Sequence, residues 1–168
     1  MKTVLAVLAL LSATVVSPLA GQGDYELSRA TLAGLTGVYV LVENILDEAQ
    51  RDGLDTTQIR TDVELKLRQA GIAVLTRQEW LSTVAAPFLY VNVQAFKNQA
   101  HVYAFSANVE LRQRVTLVGN PSMVVRATTW SAGIIGTVGS QKVASVREDV
   151  RDLTDEFINA YLAANPKR

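Results

Sequence analysis

The sequence predicts an α+β fold with a single mixed sheet, in the order β-α-β-β-β-β-α, two helices packed on one face, and a long β-hairpin. Three patterns support this prediction. Val38 to Val42 is a continuous apolar run, which is typical of a strand buried on both faces. An apolar stripe with helical spacing follows it, and residues 103–117 alternate between apolar and polar side chains.

The first strand and the first long helix form a βαβ unit. A short helical turn from Ile45 to Gly53 is expected after the strand, and Asp55 can cap a helix over about 56–70. The apolar stripe of this helix is formed by Ile59, Val63, Leu67 and Ala70. Gly71 is placed to end the helix in the left-handed conformation. A second strand over 72–75 should therefore run parallel to the first.

The second half of the chain predicts antiparallel strands. After a short helical segment at Gln78–Val84 and Pro87, strand three runs from about Phe88 to Phe96. A turn follows, and strand four begins near His101. Strand four is about 16 residues long, against a usual 5–6, so we expect it to bend or to project past the core as a hairpin arm. Its apolar face holds Tyr103, Phe105, Ala107, Val109, Leu111, Val115 and Leu117, and its polar face holds Ser106, Asn108, Glu110, Arg112, Arg114 and Thr116.

The chain after strand four predicts a turn, a return strand and a closing helix. The turn is expected at Gly119–Ser122 and strand five at Met123–Trp130. The glycines at 133, 136 and 139 lack phosphate-loop spacing and favour a mobile connection, whose apolar residues dock on the core or on a partner. A helix from about Val146 to Ala164 then closes the domain and ends at Asn165–Pro166.

The N-terminus predicts export. Lys2 precedes an apolar run from Val4 to Val16, and small residues follow, which is the pattern of a secretory signal peptide. We expect residues 1–20 to be removed, by cleavage after Ala20 or after Gly23, and a periplasmic or secreted product. Residues 21–36 are predicted to be a poorly ordered start and residues 37–168 a single α/β domain. No other stretch approaches spanning length, so no transmembrane segment is predicted in the mature chain.

Composition excludes several classes of function. Without cysteine there is no lipid-anchor site and no disulfide. Removing residues 1–20 leaves 15 basic and 16 acidic residues, which argues against nucleic-acid binding. His101 is the only histidine and lies beside a turn, so no metal site, cofactor or catalytic residue is predicted. The acids at 148, 149, 152, 155 and 156 have the spacing of a solvated helix face.

The polar sheet face and the long hairpin form the expected binding surface. The candidate residues are Asn92, Gln94, Asn108, Arg112, Arg114, Arg126 and Trp130. Strand register decides the place of Trp130. If Val118 pairs with Met123, Leu111 pairs with Trp130 and the indole is in the core; a slip of one residue puts it beside Arg112 on the open face.

The segment Leu67-Arg68-Gln69-Ala70-Gly71, leading directly into Ile72-Ala73-Val74-Leu75-Thr76-Arg77, resembles a group of bacterial envelope domains. They include the N-terminal domain of TolB, the curli secretion factor CsgG and the outer-membrane activators of penicillin-binding proteins. The resemblance is one of topology over about residues 38–163, and it carries over no functional residue. It implies a non-catalytic binding or assembly module that contacts an envelope protein or a cell-wall component. A small-ligand carrier with the glycine segment as lid, and a hydrolase using His101, are the alternatives.

Overall fold

A computed structural model describes residues 25–166 of the 168-residue chain. The predicted signal peptide and both predicted cleavage points lie outside the described residues. The helices are α1 (Tyr25–Ala30), α2 (Asp47–Arg51), α3 (Thr56–Gln69), α4 (Arg77–Ser82) and α5 (Val146–Ala164). The strands are β1 (Gly37–Val42), β2 (Ala73–Val74), β3 (Phe88–Lys97), β4 (Val102–Leu117) and β5 (Asn120–Gly139), and a 3₁₀ turn at Ser140–Ser145 links β5 to α5.

The five strands form one mixed sheet in the order β2-β1-β3-β4-β5. β1 is parallel to β2 and to β3, whereas β3, β4 and β5 are antiparallel to their neighbours. The predicted α+β fold with a single mixed sheet is therefore confirmed. Gly71, with a φ of +79°, ends the α3 segment as predicted and turns the chain directly into the short β2.

The core lies between one face of the sheet and the two long helices. Ile59, Val63 and Leu67 of α3 are buried there, and Phe157 of α5 packs against the same layer. Ion pairs tie the two helices together at the solvent side: Lys66 to Asp155 at 2.6 Å and Arg147 to Asp62 at 2.7 Å. None of the helices within residues 25–166 is both long enough and apolar enough to cross a membrane.

The described part of the segment expected to be poorly ordered is folded. Residues 25–30 form α1, and Leu32 is fully buried in the core. Asn165 fixes the turn that follows, because its amide donates to the Leu32 carbonyl at 2.9 Å and accepts from the Gly34 N–H at 2.8 Å. The Tyr161 hydroxyl donates to the Leu35 carbonyl at 2.7 Å. These contacts come from α5 and the residue that ends it, more than 120 residues along the chain, so the local sequence does not reveal them.

The glycine segment is not a mobile connection but the second half of β5. Gly133 pairs with Asn108 and Gly136 pairs with Phe105 on β4. The missing side chains are replaced by those of the neighbouring strand: the Asn108 carboxamide lies where a Cβ on Gly133 would stand, and the Phe105 ring comes within 2.8 Å of the Cβ position of Gly136. Glycine in this strand marks a close approach between neighbours rather than a loop. The prediction of a mobile connection at residues 133–139 is therefore wrong.

A β-bulge divides the β4–β5 ribbon into two parts. Leu111 pairs with Trp130, as one of the two predicted registers requires, but Arg112 pairs with Thr128, which leaves Thr129 unpaired. The chain turns at residues 118–119, because Leu117 already pairs with Asn120, and not at the predicted Gly119–Ser122. We call Val102–Leu111 with Trp130–Gly139 the inner ribbon and Arg112–Thr128 the arm.

Candidate functional site

Six of the seven predicted binding residues share one surface. It is the sheet face opposite α3 and α5, here called the open face. Its members among the predicted residues are Asn92 and Gln94 of β3, Asn108, Arg112 and Arg114 of β4, and Arg126 of β5. Trp130 is the exception: only 1% of it is exposed, and its ring packs edge-on against Phe157 with centroids 5.3 Å apart. Trp130 is therefore a core residue, and its assignment to the binding surface is wrong.

The bulge explains how Arg126 and Trp130 come to lie on opposite faces. Residues four apart in a regular strand point to the same side of a sheet. The unpaired Thr129 adds one residue on β5, so Thr128 and Arg126 turn to the open face while Trp130 remains in the core. The extra residue thus makes a buried indole compatible with an exposed arginine in the same strand.

The centre of the open face is a fixed polar cluster. Arg112 donates through Nε to Glu110 Oε2 at 2.8 Å, and its guanidinium lies 3.7 Å above the ring of Tyr90. Thr128 Oγ1 donates to the same carboxylate oxygen at 2.9 Å. Stacking on an aromatic ring and pairing with a carboxylate hold a planar guanidinium in one orientation. Arg112 is thus a positioned group rather than a freely moving charge.

An aromatic cluster built around Trp80 covers one corner of the open face. Trp80 stacks on Tyr39 with ring centroids 5.1 Å apart and meets Phe88 edge-on at 5.7 Å. Its indole N–H donates to the Ala86 carbonyl at 2.7 Å, and the guanidinium of Arg126 lies 5.0 Å from its ring centroid. The sequence prediction did not include this residue among the binding candidates.

A capping box places that tryptophan. Thr76 Oγ1 accepts from the Glu79 N–H at 3.3 Å, and Glu79 Oε2 accepts from the Thr76 N–H at 2.7 Å. The backbone hydrogen bond from Thr76 lowers the pKa of the Glu79 carboxyl below its ordinary value. The Thr-x-x-Glu pattern at 76–79 is the sequence signal that would have fixed the start of α4 and so the place of Trp80 within it.

The opposite end of the open face carries amide side chains. Asn92 Nδ2 donates to Glu43 Oε2 at 2.8 Å, and Gln94 is exposed beside it. A cavity of about 210 Å³ lies here, lined by Glu43, Asn44, Leu46, Asn92, Val93, Gln94 and Phe96. Its volume is below the usual range of small-molecule sites, roughly 300–1,000 Å³.

Four ionisable residues near the start of β4 form one connected cluster. Lys97 Nζ lies 2.9 Å from Asp52 and 3.0 Å from Glu48, and the Tyr103 hydroxyl donates to Asp52 at 2.9 Å. The hydrogen bonds from Lys97 and Tyr103 lower the pKa of Asp52, while those to Asp52 and Glu48 raise the pKa of Lys97. This cluster joins the end of α2 to the β3–β4 hairpin. Asp52 and Lys97 both keep their charges at neutral pH.

The other titratable candidates lie apart from the open-face cluster. His101 is exposed in the β3–β4 turn with a φ of +56°, and its carbonyl accepts from the Ser140 N–H at 2.8 Å. On α5, burial and then the neighbouring Asp152 raise the pKa of Asp149. Within residues 25–166, no group of three or more His, Asp or Glu side chains is placed to hold a metal ion.

The outer edge of β5 is long and has no partner strand among residues 25–166. β2, at the opposite edge, has two residues, whereas β5 has 20. No charged residue and no proline occurs from Ala127 to Gly139, and Ile135 is 85% exposed. No strand among residues 25–166 pairs with this edge, and the Thr31 hydroxyl reaches it only at the Thr129 carbonyl, 3.3 Å away.

Comparison with protein-family models gives no match for this chain, and comparison with curated proteins gives none either. A function for this chain can therefore be proposed only from the geometry of the open face and of the β5 edge.

Proposed function

We propose that the protein is a non-catalytic binding module of the bacterial cell envelope, and that it takes an extended segment of an envelope protein as an additional strand along β5. The envelope location rests on the N-terminal pattern of a cleaved export signal. The binding mode rests on the uncharged edge strand from Ala127 to Gly139.

The edge of β5 lacks the usual protection against strand pairing. Natural sheets shield an edge with a charged side chain, a proline, a very short strand or a covering helix. The segment Ser131–Gly139 has neither charge nor proline, and it is long enough for several main-chain hydrogen bonds to an incoming strand. Such main-chain bonds supply affinity when a peptide adds to a sheet, and alternate side chains supply specificity.

The open face offers the side-chain contacts for that specificity. Ile135 protrudes from β5 next to Ser106, and Asn108 lies across Gly133 one step further along the ribbon. An added strand would place an apolar side chain against Ile135 and a hydrogen-bonding side chain near the half-buried amide of Asn108. The partner best suited to this edge is a β-prone segment with alternating apolar and polar residues.

A photo-crosslinking amino acid placed at Ile135 tests this proposal. It would be introduced in cells that export the protein, with the same group at Leu65 as the control, since Leu65 is exposed on α3, away from the β5 edge. We expect one recurring partner segment to be crosslinked from position 135 and not from position 65. A synthetic peptide of that segment should then slow hydrogen exchange of the amides in Ser131–Gly139.

The variant Ile135→Lys gives the matched loss of function. A lysine on an edge strand opposes pairing, so we expect peptide binding to fall at least tenfold, whereas Leu65→Lys should bind as the parent does. Equal crosslinking from both positions, or unchanged exchange along β5 in the presence of the peptide, would contradict strand addition.

A further inference from the structure

The end of the arm exposes four large apolar side chains on its two faces, beside the polar Asn120 and Ser122. Val118 in the turn is 99% exposed, and Val124 on β5 is 59% exposed. Leu117 and Met123 complete the cluster, which we call the tip. These side chains are exposed to solvent because the arm passes beyond the core. The last core residue on β4 is Leu111, and the last buried residue is Gln113. Four large apolar side chains grouped in this way mark a contact surface rather than isolated exposed residues.

The charge of the arm differs from that of the whole chain. The chain has 16 basic and 16 acidic residues, but no Asp or Glu occurs between Leu111 and Arg147. The arm itself carries Arg112, Arg114 and Arg126. Of these, only Arg112 is paired with a carboxylate, so the part of the arm next to the tip is positively charged.

Arg114 and Arg126 lie directly opposite each other across the two strands. Like charges in this position repel, so the pair costs stability unless an anion lies nearby. The guanidinium of Arg126 rests against Trp80, while the side chain of Arg114 has no hydrogen-bond or ion-pair partner within residues 25–166. The arrangement therefore offers two exposed cations to an anionic surface.

We propose that the tip inserts into the surface of an anionic phospholipid bilayer while Arg114 and Arg126 bind the lipid phosphates. Val118 is four residues from Arg114, which in an extended strand corresponds to about 13 Å. That separation lets the apolar residues enter the boundary between headgroups and acyl chains while the guanidinium groups stay at the phosphates. This contact concerns the arm alone and does not depend on strand addition at β5.

The cysteine-free chain allows a direct test with the full-length protein. A single Val118→Cys variant would carry an environment-sensitive fluorophore, and a Leu65→Cys variant would carry the same dye as the control. Vesicles of phosphatidylcholine alone would be compared with vesicles that also contain phosphatidylglycerol. We expect a blue shift at position 118 with the anionic vesicles only, reduced by added salt, and no shift at position 65.

Vesicle sedimentation of unlabelled variants measures the strength of the contact. Val118→Asp, and separately Arg114→Gln with Arg126→Gln, should each reduce partitioning into anionic vesicles by roughly tenfold. Leu65→Asp should leave it unchanged. All variants carry the same N-terminal apolar run, so differences between them report the arm.

Two results would overturn the proposal. One is an absent or lipid-independent spectral response at position 118. The other is a Val118→Asp protein that partitions like the parent, since the tip would then be free of lipid and available to a protein partner instead. Neither result bears on binding at the β5 edge, which the Ile135 experiments test separately.

Discussion

The inner ribbon and the arm are built from the same two strands, yet their surroundings are opposite. On the inner ribbon, Tyr103, Val109 and Trp130 are buried against the helix layer. Beyond the Thr129 bulge, most of the arm is exposed. Its base contacts the domain through the buried Gln113 and through the Arg114 N–H, which donates to the Ala85 carbonyl at 2.8 Å. The inner ribbon therefore needs side chains that pack in the core, whereas most positions of the arm do not. The arm is thus free to carry residues chosen for contact with something else.

The largest effect that separates the two parts is expected at Trp130. Trp130→Ala should lower the free energy of unfolding by about 3–5 kcal/mol, because a buried ring packed on Phe157 is replaced by a cavity. Met123→Ala in the tip should change it by less than about 0.5 kcal/mol. Urea denaturation of both variants measures the contrast, and equal effects would show that the arm is packed as firmly as the inner ribbon.

Trp130→Phe sharpens the same comparison. The indole N–H of Trp130 is buried without a hydrogen-bond partner among the described residues. Phenylalanine keeps the ring contact and removes that donor, so it should cost clearly less than alanine. A phenylalanine variant as unstable as the alanine variant would contradict this account of the indole.

A smaller effect is expected at the glycines of β5. Gly136→Val should destabilise the protein by about 1–3 kcal/mol, because its Cβ would stand 2.8 Å from the Phe105 ring. Gly119→Val is the matched change in the arm, where a Cβ meets nothing within 4 Å. Thermal unfolding should separate the two variants. A Gly136→Val protein as stable as the parent would mean that the Phe105 ring moves aside without cost.

An acid-dependent effect is expected at the start of the inner ribbon, where Asp52 binds Lys97 and Tyr103. Because these hydrogen bonds lower the folded-state pKa of Asp52, their stabilisation is present at neutral pH and is lost as pH falls below about 4. Asp52→Asn should therefore be less stable than the parent at pH 7, and the difference should shrink on acidification. Urea midpoints measured over this range check the sign, and a constant difference would contradict it.

The smallest effect is expected at the tip. Val118→Asp should change the free energy of unfolding by less than about 0.5 kcal/mol, since Val118 is almost fully exposed. The circular dichroism spectrum and the urea midpoint should match those of the parent. A marked loss of stability would show that the turn packs against the domain and does not project into solvent.

Periodicity was sufficient to predict the sheet, the two long helices and the alternation of β4, because those signals are local. The second half of β5 was missed, since Gly133 and Gly136 resemble a loop until Asn108 and Phe105 are placed beside them. The sequence predicts two alternative alignments for the hairpin. The inner ribbon follows the one that pairs Leu111 with Trp130, but beyond the bulge at Thr129 the arm follows neither, and nothing in the local sequence marks the position of the bulge.

The candidate surface was predicted in part. The alternation of β4 was enough to place Arg112 and Asn108 on one face, but it gave no indication that Arg112 is held by Glu110 and Tyr90. Trp80 was missed because the local sequence does not show on which face of the sheet α4 packs. The ring contacts of Trp80 with Tyr39 and Phe88 place α4 on the face opposite the long helices. Contacts between residues that are distant in sequence therefore determine which charged side chains are already paired and which are available to a partner.

The bulge at Thr129 also determines which changes of length and sequence the arm can accept. Register inward of Trp130 is set by the core and by two glycines. Outward of the bulge, the pairs from Arg112–Thr128 to Thr116–Val124 keep a shifted register, and a second shift between Thr116 and Leu117 precedes the turn at residues 118–119. Lengthening or replacing the arm therefore leaves the buried pairs in place. Arms of different length and chemistry can be exchanged on this scaffold, as recognition loops are exchanged on an antibody framework, without redesign of the domain that carries them.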